Sequence, residues 1–140
     1  MLAASGNLQY KITSIALVTN PVLADKFNKK RAKLKGRKVN DTPILSFHGT
    51  PDVNIESIIK TNFRPSVVGT YGPGVYFSEY PLKSIAYSGG SNSMIVCQIL
   101  LGEDGRDSTQ HVPDSAGRCQ EIVIKNVDLI LPLYVIHYSQ

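Results

Sequence analysis

The sequence predicts an α+β domain, and three observations lead there. Short runs rich in β-branched and aromatic residues recur along the chain, helical stretches are few, and two strand-like runs follow one another near the C-terminus instead of alternating with helices. A length of 140 residues, 42% of them hydrophobic and 19% charged, suits a single globular core spanning residues 1–140.

Leu8 to Thr19 is rich in Tyr, Ile, Thr and Val, with Ile15 and Leu17 alternating with smaller or polar neighbours, and reads as a strand. Asn20-Pro21 opens a helix, because asparagine caps free amides and proline suits the first turn. Leu23, Phe27 and Leu34 then fall at helical spacing, and Gly36 ends the element. After the polar link Asn40-Asp41-Thr42-Pro43, Ile44 to Phe47 forms a short buried strand that opens at His48-Gly49-Thr50. Asn54 is placed to cap a second helix with Ile55, Ile58 and Ile59 on one face, ended by Asn62-Phe63-Arg64-Pro65. Gly74 to Ser78 is a strand, Pro81 starts a helix carrying Leu82, Ser84, Ile85 and Tyr87, and Gly89-Gly90 breaks it. Ser93 to Leu101 carries the strongest strand pattern. A polar loop from Gly102 to Gln120, with His111 in it, separates it from strands at Glu121 to Ile124 and Leu133 to Tyr138.

Composition removes several classes of function. No apolar run is long enough to span a membrane, and the start MLAASGNLQYK lacks the basic and apolar regions of a secretory signal, so an intracellular protein, cytoplasmic or nuclear, is expected. Two cysteines are too few for a disulfide framework; Cys97 sits in an apolar run and suits burial, whereas Cys119 falls in the polar loop and is expected to be exposed. With neither cysteine nor histidine at ligand spacing, no metal is expected. The net charge of +4 hides an asymmetry: Lys26 to Lys38 holds eight basic residues and no acid, leaving the remainder net acidic. That block is a solvated helix face with Phe27 and Leu34 turned inward, or a contact for nucleic acid, an acidic partner or an import receptor.

The densest candidate for a ligand site is Tyr71 to Tyr87, YGPGVYFSEYPLKSIAY, where four tyrosines and a Gly-Pro-Gly turn could hold a flat ring and hydrogen-bond its edge. His48, at the end of an apolar strand, could act as a base, a metal ligand or a hydrogen-bonding group. Glu121 is a lone acid opening a strand.

Taken together, His48-Gly49-Thr50, Tyr71 to Phe77, Lys83 to Tyr87, Met94 to Gly102 and Glu121 to Ile124 come in an order that resembles the catalytic domain of the poly(ADP-ribose) polymerase family, the diphtheria-toxin-like ADP-ribosyltransferases with a His-Tyr-Glu triad. The resemblance covers nearly the whole chain and implies split, mostly antiparallel sheets with short flanking helices. It also implies a pentosyl transfer from NAD to an acceptor, with nicotinamide released. By resemblance, His48 binds the adenine-side ribose, the Gly49 backbone clamps the nicotinamide amide with Thr50 beside it, and Ser84 holds the carboxamide. Tyr76 and Tyr87 take the two faces of the nicotinamide ring. Glu121, eight residues before Leu129, is the triad acid, while Asn54 and Arg64 match the adenosine and pyrophosphate side. NAD is then a substrate, no metal is needed, a protein acceptor follows, and the domain is expected to be monomeric, without the helical regulatory domain of the DNA-dependent members.

Two departures bear on the product. Pro73 stands where the family often has lysine, and the segment Arg64 to Gly72 is short, which leaves NAD less covered. Gly102 to Gln120 is also short, which argues against chain elongation, whereas Glu121 is of the type found in polymer-forming members; addition of single ADP-ribose units or short oligomers is expected. A non-catalytic NAD or ADP-ribose binding module and an NAD glycohydrolase are the competing readings.

Overall fold

The computed structural model describes residues 2–3 and 9–140. Among them, eight strands run in chain order as β1 (Leu2–Ala3), β2 (Gln9–Leu17), β3 (Ile44–Gly49), β4 (Val75–Phe77), β5 (Ser93–Ile99), β6 (Ser108–Pro113), β7 (Cys119–Ile124) and β8 (Ile130–Ser139). Three α-helices accompany them: α1 (Pro21–Gly36), α2 (Ile55–Thr61) and α3 (Pro81–Ile85). The strands form a five-stranded sheet of order β1-β2-β8-β5-β3 and a three-stranded sheet of order β4-β7-β6. Every pairing is antiparallel, which gives the expected α+β class. Leu8, taken from sequence as the start of a strand, lies outside the described residues.

The core follows from the apolar runs. β5 is buried along nearly its whole length because both its faces are covered. Ile95, Cys97 and Ile99 pack with Phe27 and Leu34 of α1 and with Ile122 and Ile124 of β7, whereas Met94 and Val96 face Ile136 and Tyr138. Helix α1 starts as its sequence dictates: the Asn20 side chain accepts the Leu23 amide at 3.2 Å, and Pro21 follows. The same asparagine donates to the Ile59 and Lys60 carbonyls, tying α1 to the end of α2.

Three local expectations are corrected. The Gly102 to Gln120 segment is not all loop, since β6 lies within it and pairs with β7; His111 is therefore a strand residue. Cys119 is buried rather than exposed, because pairing with β6 turns it toward the core. Asn54 does not cap α2 with its side chain: a short 3-10 turn, Asp52–Asn54, precedes the helix, and Asn54 instead donates to the Thr50 hydroxyl at 3.2 Å. The strands at Glu121 and at the C-terminus, adjacent in sequence, belong to different sheets, separated by the turn Val127–Leu129.

The two sheets are joined at one point that creates the site. Phe47 of β3 and Ser78, just after β4, exchange backbone hydrogen bonds of 2.8 and 3.0 Å, and the Ser46 hydroxyl also donates to the Ser78 carbonyl. Beyond this junction the sheets diverge, and the gap between them is the cavity.

Candidate active site

A cavity of about 610 Å³ opens where the sheets part, in the size range of small-ligand sites. Its lining includes all nine residues singled out from sequence: His48, Gly49, Thr50, Asn54, Arg64, Tyr76, Ser84, Tyr87 and Glu121.

β3 delivers the first of these. Strand alternation puts His48 on the same face as Ser46 and Ile44, inside the divide between the sheets. Its ring lies edge-on to Phe63 and tilted on Phe77, with centroids 4.7 and 5.5 Å away. His48 Nδ1 is 2.7 Å from the Tyr76 carbonyl oxygen, which can only accept, so Nδ1 carries the proton. Burial among these rings holds the His48 pKa below the usual histidine value, outweighing the opposing pull of that carbonyl. The imidazole is thus neutral near pH 7, with a lone pair at Nε2 able to accept from a ligand hydroxyl.

Gly49 is fixed by a close approach. A Cβ at this position would collide with the carbonyl oxygen of Ser84, so only glycine lets α3 dock on the end of β3. The Ser84 hydroxyl reinforces the docking by donating to the Phe47 carbonyl at 2.9 Å. Pro81 at the first turn starts α3, and Tyr87 follows just past its end.

Tyr76 and Tyr87 come from the same stretch but differ in how they are held. The Tyr76 hydroxyl donates to the Gly72 carbonyl at 2.7 Å and accepts from the Tyr71 amide at 2.9 Å, so its polar tip closes the loop that precedes β4. The Tyr87 hydroxyl instead donates to Glu121 Oε1 at 2.6 Å while its ring stays 51% exposed, leaving an aromatic face free for a ligand. The hydrogen bond to Glu121, aided by burial, pushes the Tyr87 pKa up to about 12, so the phenol keeps its proton and goes on donating.

Glu121 comes from β7 on the far side of the cavity. It is only 9% exposed, and among the described residues that line the cavity it is the one acid. None of the ion pairs among the described residues involves it. An almost buried carboxylate thus faces an aromatic cavity, compensated by a phenol and not by a fixed cation. Among the described residues, no group of three or more His, Cys, Asp or Glu is placed to hold a metal.

Two residues at this end escaped the sequence reading. Tyr71, to which the resemblance assigns no role, stacks flat on His111 with a centroid distance of 3.7 Å and an interplanar angle of 8°. His111 in turn is the cross-strand partner of Glu121. Tyr71 sat inside the aromatic stretch and could have been kept; nothing in the polar segment around His111 marked it, because only the β6–β7 pairing brings it to Glu121.

Comparison with known proteins agrees with this geometry. The sequence model of the poly(ADP-ribose) polymerase catalytic domain matches residues 2–117. The chain belongs to this family. It is thereby a member of the NAD-dependent ADP-ribosyltransferases, and its split antiparallel sheets are the fold of that family. A relative, the poly [ADP-ribose] polymerase tankyrase of Caenorhabditis elegans, is 32% identical over 109 residues, covering 71% of this chain and 4% of that protein. The chain thus spans a small part of the length of the curated relative it matches. The family match stops four residues before Glu121, so the place of that carboxylate rests on the β7 geometry.

Proposed function

We propose that this domain transfers ADP-ribose from NAD to an acceptor and releases nicotinamide, with Glu121 as the residue that most affects the rate. The observation that carries the reading is the buried Glu121 carboxylate, bonded by Tyr87 and facing an aromatic cavity. The lining chemistry suits NAD. The exposed face of Tyr87 matches a flat cationic ring, the Nε2 lone pair of His48 and the side chains of Thr50 and Asn54 match ribose hydroxyls, and Arg64 matches a pyrophosphate.

The division of labour follows from where charge moves. In NAD the nicotinamide ring is positive, so an aromatic face favours the bound substrate by about 0.5–2 kcal/mol. As the glycosidic bond breaks, nicotinamide takes the electron pair and leaves neutral, while positive charge develops on the ribose. An anion beside that ribose gains strength only in the transition state, which is where stabilisation raises turnover. Glu121 supplies it. The Tyr87 hydroxyl orients the carboxylate while the ring of the same residue faces the leaving group, linking ring placement to carboxylate placement.

We further infer addition of single units or short oligomers to a protein acceptor, supported by the short segment from Gly102 to Gln120. Nucleic acid is a second candidate partner through Lys26 to Lys38, a stretch in which Lys29 pairs with Asp25 and Arg37 with Glu103. The deciding experiment compares nicotinamide release with labelling of protein from labelled NAD, in wild type and Glu121→Gln. The expected result is labelling in wild type and a loss of about 10²–10³-fold in the variant. NAD binding without nicotinamide release would identify a binding module, and release without labelling a glycohydrolase; equal rates in both proteins would remove Glu121 from the chemistry.

A further inference from the structure

The NAD reading leaves unexplained why Glu121 has neighbours on two sides. Tyr87 approaches it from within the cavity, whereas Tyr71 and His111 flank it without belonging to the cavity lining. Burial and the nearby Glu121 carboxylate both push the Tyr71 phenol pKa up, consistent with Tyr71 lying close to that charge. The flat Tyr71–His111 stack is partly exposed, so a group could reach Glu121 along it without passing through the space assigned to NAD. The imidazole is also oriented: His111 Nε2 lies 2.9 Å from the Thr109 hydroxyl on the same strand, which leaves Nδ1 for another partner.

We propose that the Tyr71–His111 stack is the acceptor-side wall of the site, and that His111 takes the proton of a neutral hydroxyl acceptor. The inference rests on the transferase reading. The step balances simply: the acceptor oxygen donates a lone pair to the ribose carbon as the bond to nicotinamide breaks, nicotinamide carries away that bond's electron pair, and the acceptor proton passes to His111 and then to water. Two considerations select a hydroxyl over a carboxylate. A carboxylate acceptor arrives without a proton and has no use for a base beside it. It would also meet the Glu121 charge where no ion pair among the described residues offsets either anion. A serine-type hydroxyl carries no charge to repel and needs its proton removed, for which imidazole is the side chain with proton affinity nearest neutrality.

The test uses the whole chain, labelled NAD and two matched peptides that differ only in serine or glutamate at the acceptor position. Wild type is expected to label the serine peptide at least tenfold faster. The variant His111→Phe keeps a ring for Tyr71 to stack on and removes the nitrogens. It is expected to lower the ratio of labelled serine peptide to free ADP-ribose by about 10²-fold or more, the usual range for loss of a general base. His111→Ala should lower that ratio at least as far. Equal or faster labelling of the glutamate peptide by wild type would overturn the proposal, as would a ratio unchanged in His111→Phe, including the case where transfer and hydrolysis fall together. A wild type that releases no nicotinamide would overturn the transferase reading itself, and this proposal with it.

Discussion

The aromatic wall from Tyr71 to Tyr87 and the strands that carry His48 and Glu121 meet at one cavity, but they are held there by different means. The wall is local: a loop closed by the Tyr76 hydroxyl, a three-residue strand and a five-residue helix, all within one continuous stretch. His48 and Glu121 lie 73 positions apart in the numbering and are aligned by the β3–β5 and β7–β4 pairings that run through the core. The local wall can therefore place a ring, yet it becomes a site only where it docks on the strands. Docking rests on the close backbone approach of Gly49 to Ser84, on the Phe47–Ser78, His48–Tyr76 and Ser84–Phe47 hydrogen bonds to β3, and on the Tyr87–Glu121 hydrogen bond to β7.

The sharpest way to break the comparison is Gly49→Ala, which forces a methyl group against the Ser84 carbonyl and pushes the wall off the strand. Overpacking of this kind costs about 1–3 kcal/mol, or roughly 3–10 °C in Tm for a domain of this size. Isothermal titration with NAD is expected to show binding lost along with that stability, and a variant that keeps both would mean that α3 can dock without the close approach.

A smaller effect separates the two functions of Tyr87. Tyr87→Ala removes the ring and is expected to weaken NAD binding by the worth of a cation–π contact, about 0.5–2 kcal/mol. Tyr87→Phe keeps the ring but frees Glu121, so binding should be nearly retained while turnover at saturating NAD falls. Steady-state kinetics of nicotinamide release, with KM and kcat resolved, distinguishes them; the same pattern from both variants would show that ring and hydroxyl do not act separately.

The smallest effect concerns pH. Because burial holds the His48 pKa low in the folded protein, the unfolded chain takes up this proton at higher pH than the folded one. Stability linked to His48 is then complete above the unfolded-state value of about 6.5 and declines as pH falls below it. Between about pH 7.5 and about pH 5.5, wild type should lose a few degrees more in Tm than His48→Gln. Equal losses would assign the acid sensitivity to groups other than His48.

Much of this was legible in the residues themselves. The Asn20-Pro21 start of α1, the buried trio Leu23, Phe27 and Leu34, and the mostly apolar β5 are dictated by local capping chemistry and burial patterns that need no partner to be read. Errors arose where a partner decides. Asn54 already has helical backbone angles at the end of the 3-10 turn, so it does not sit as a cap, and its amide nitrogen donates to the Thr50 hydroxyl. β6 looked like loop because its residues are polar and partly exposed, and it becomes a strand through hydrogen bonds to β7.

The sequence by itself determined the class of the fold, the family and the set of candidate side chains that line the cavity, because ordered motifs and apolar periodicity are properties of the chain. Tertiary structure decided how those side chains are employed. Only the packed arrangement commits the Tyr76 hydroxyl to the loop and the Tyr87 hydroxyl to Glu121, leaves His48 neutral, and sets the Tyr71–His111 stack beside the carboxylate. The reason is physical: hydrogen-bond partners and burial belong to pairs of residues brought together from distant parts of the chain, and in this protein the pairing of β7 with β4 and β6 sets which pairs form around Glu121.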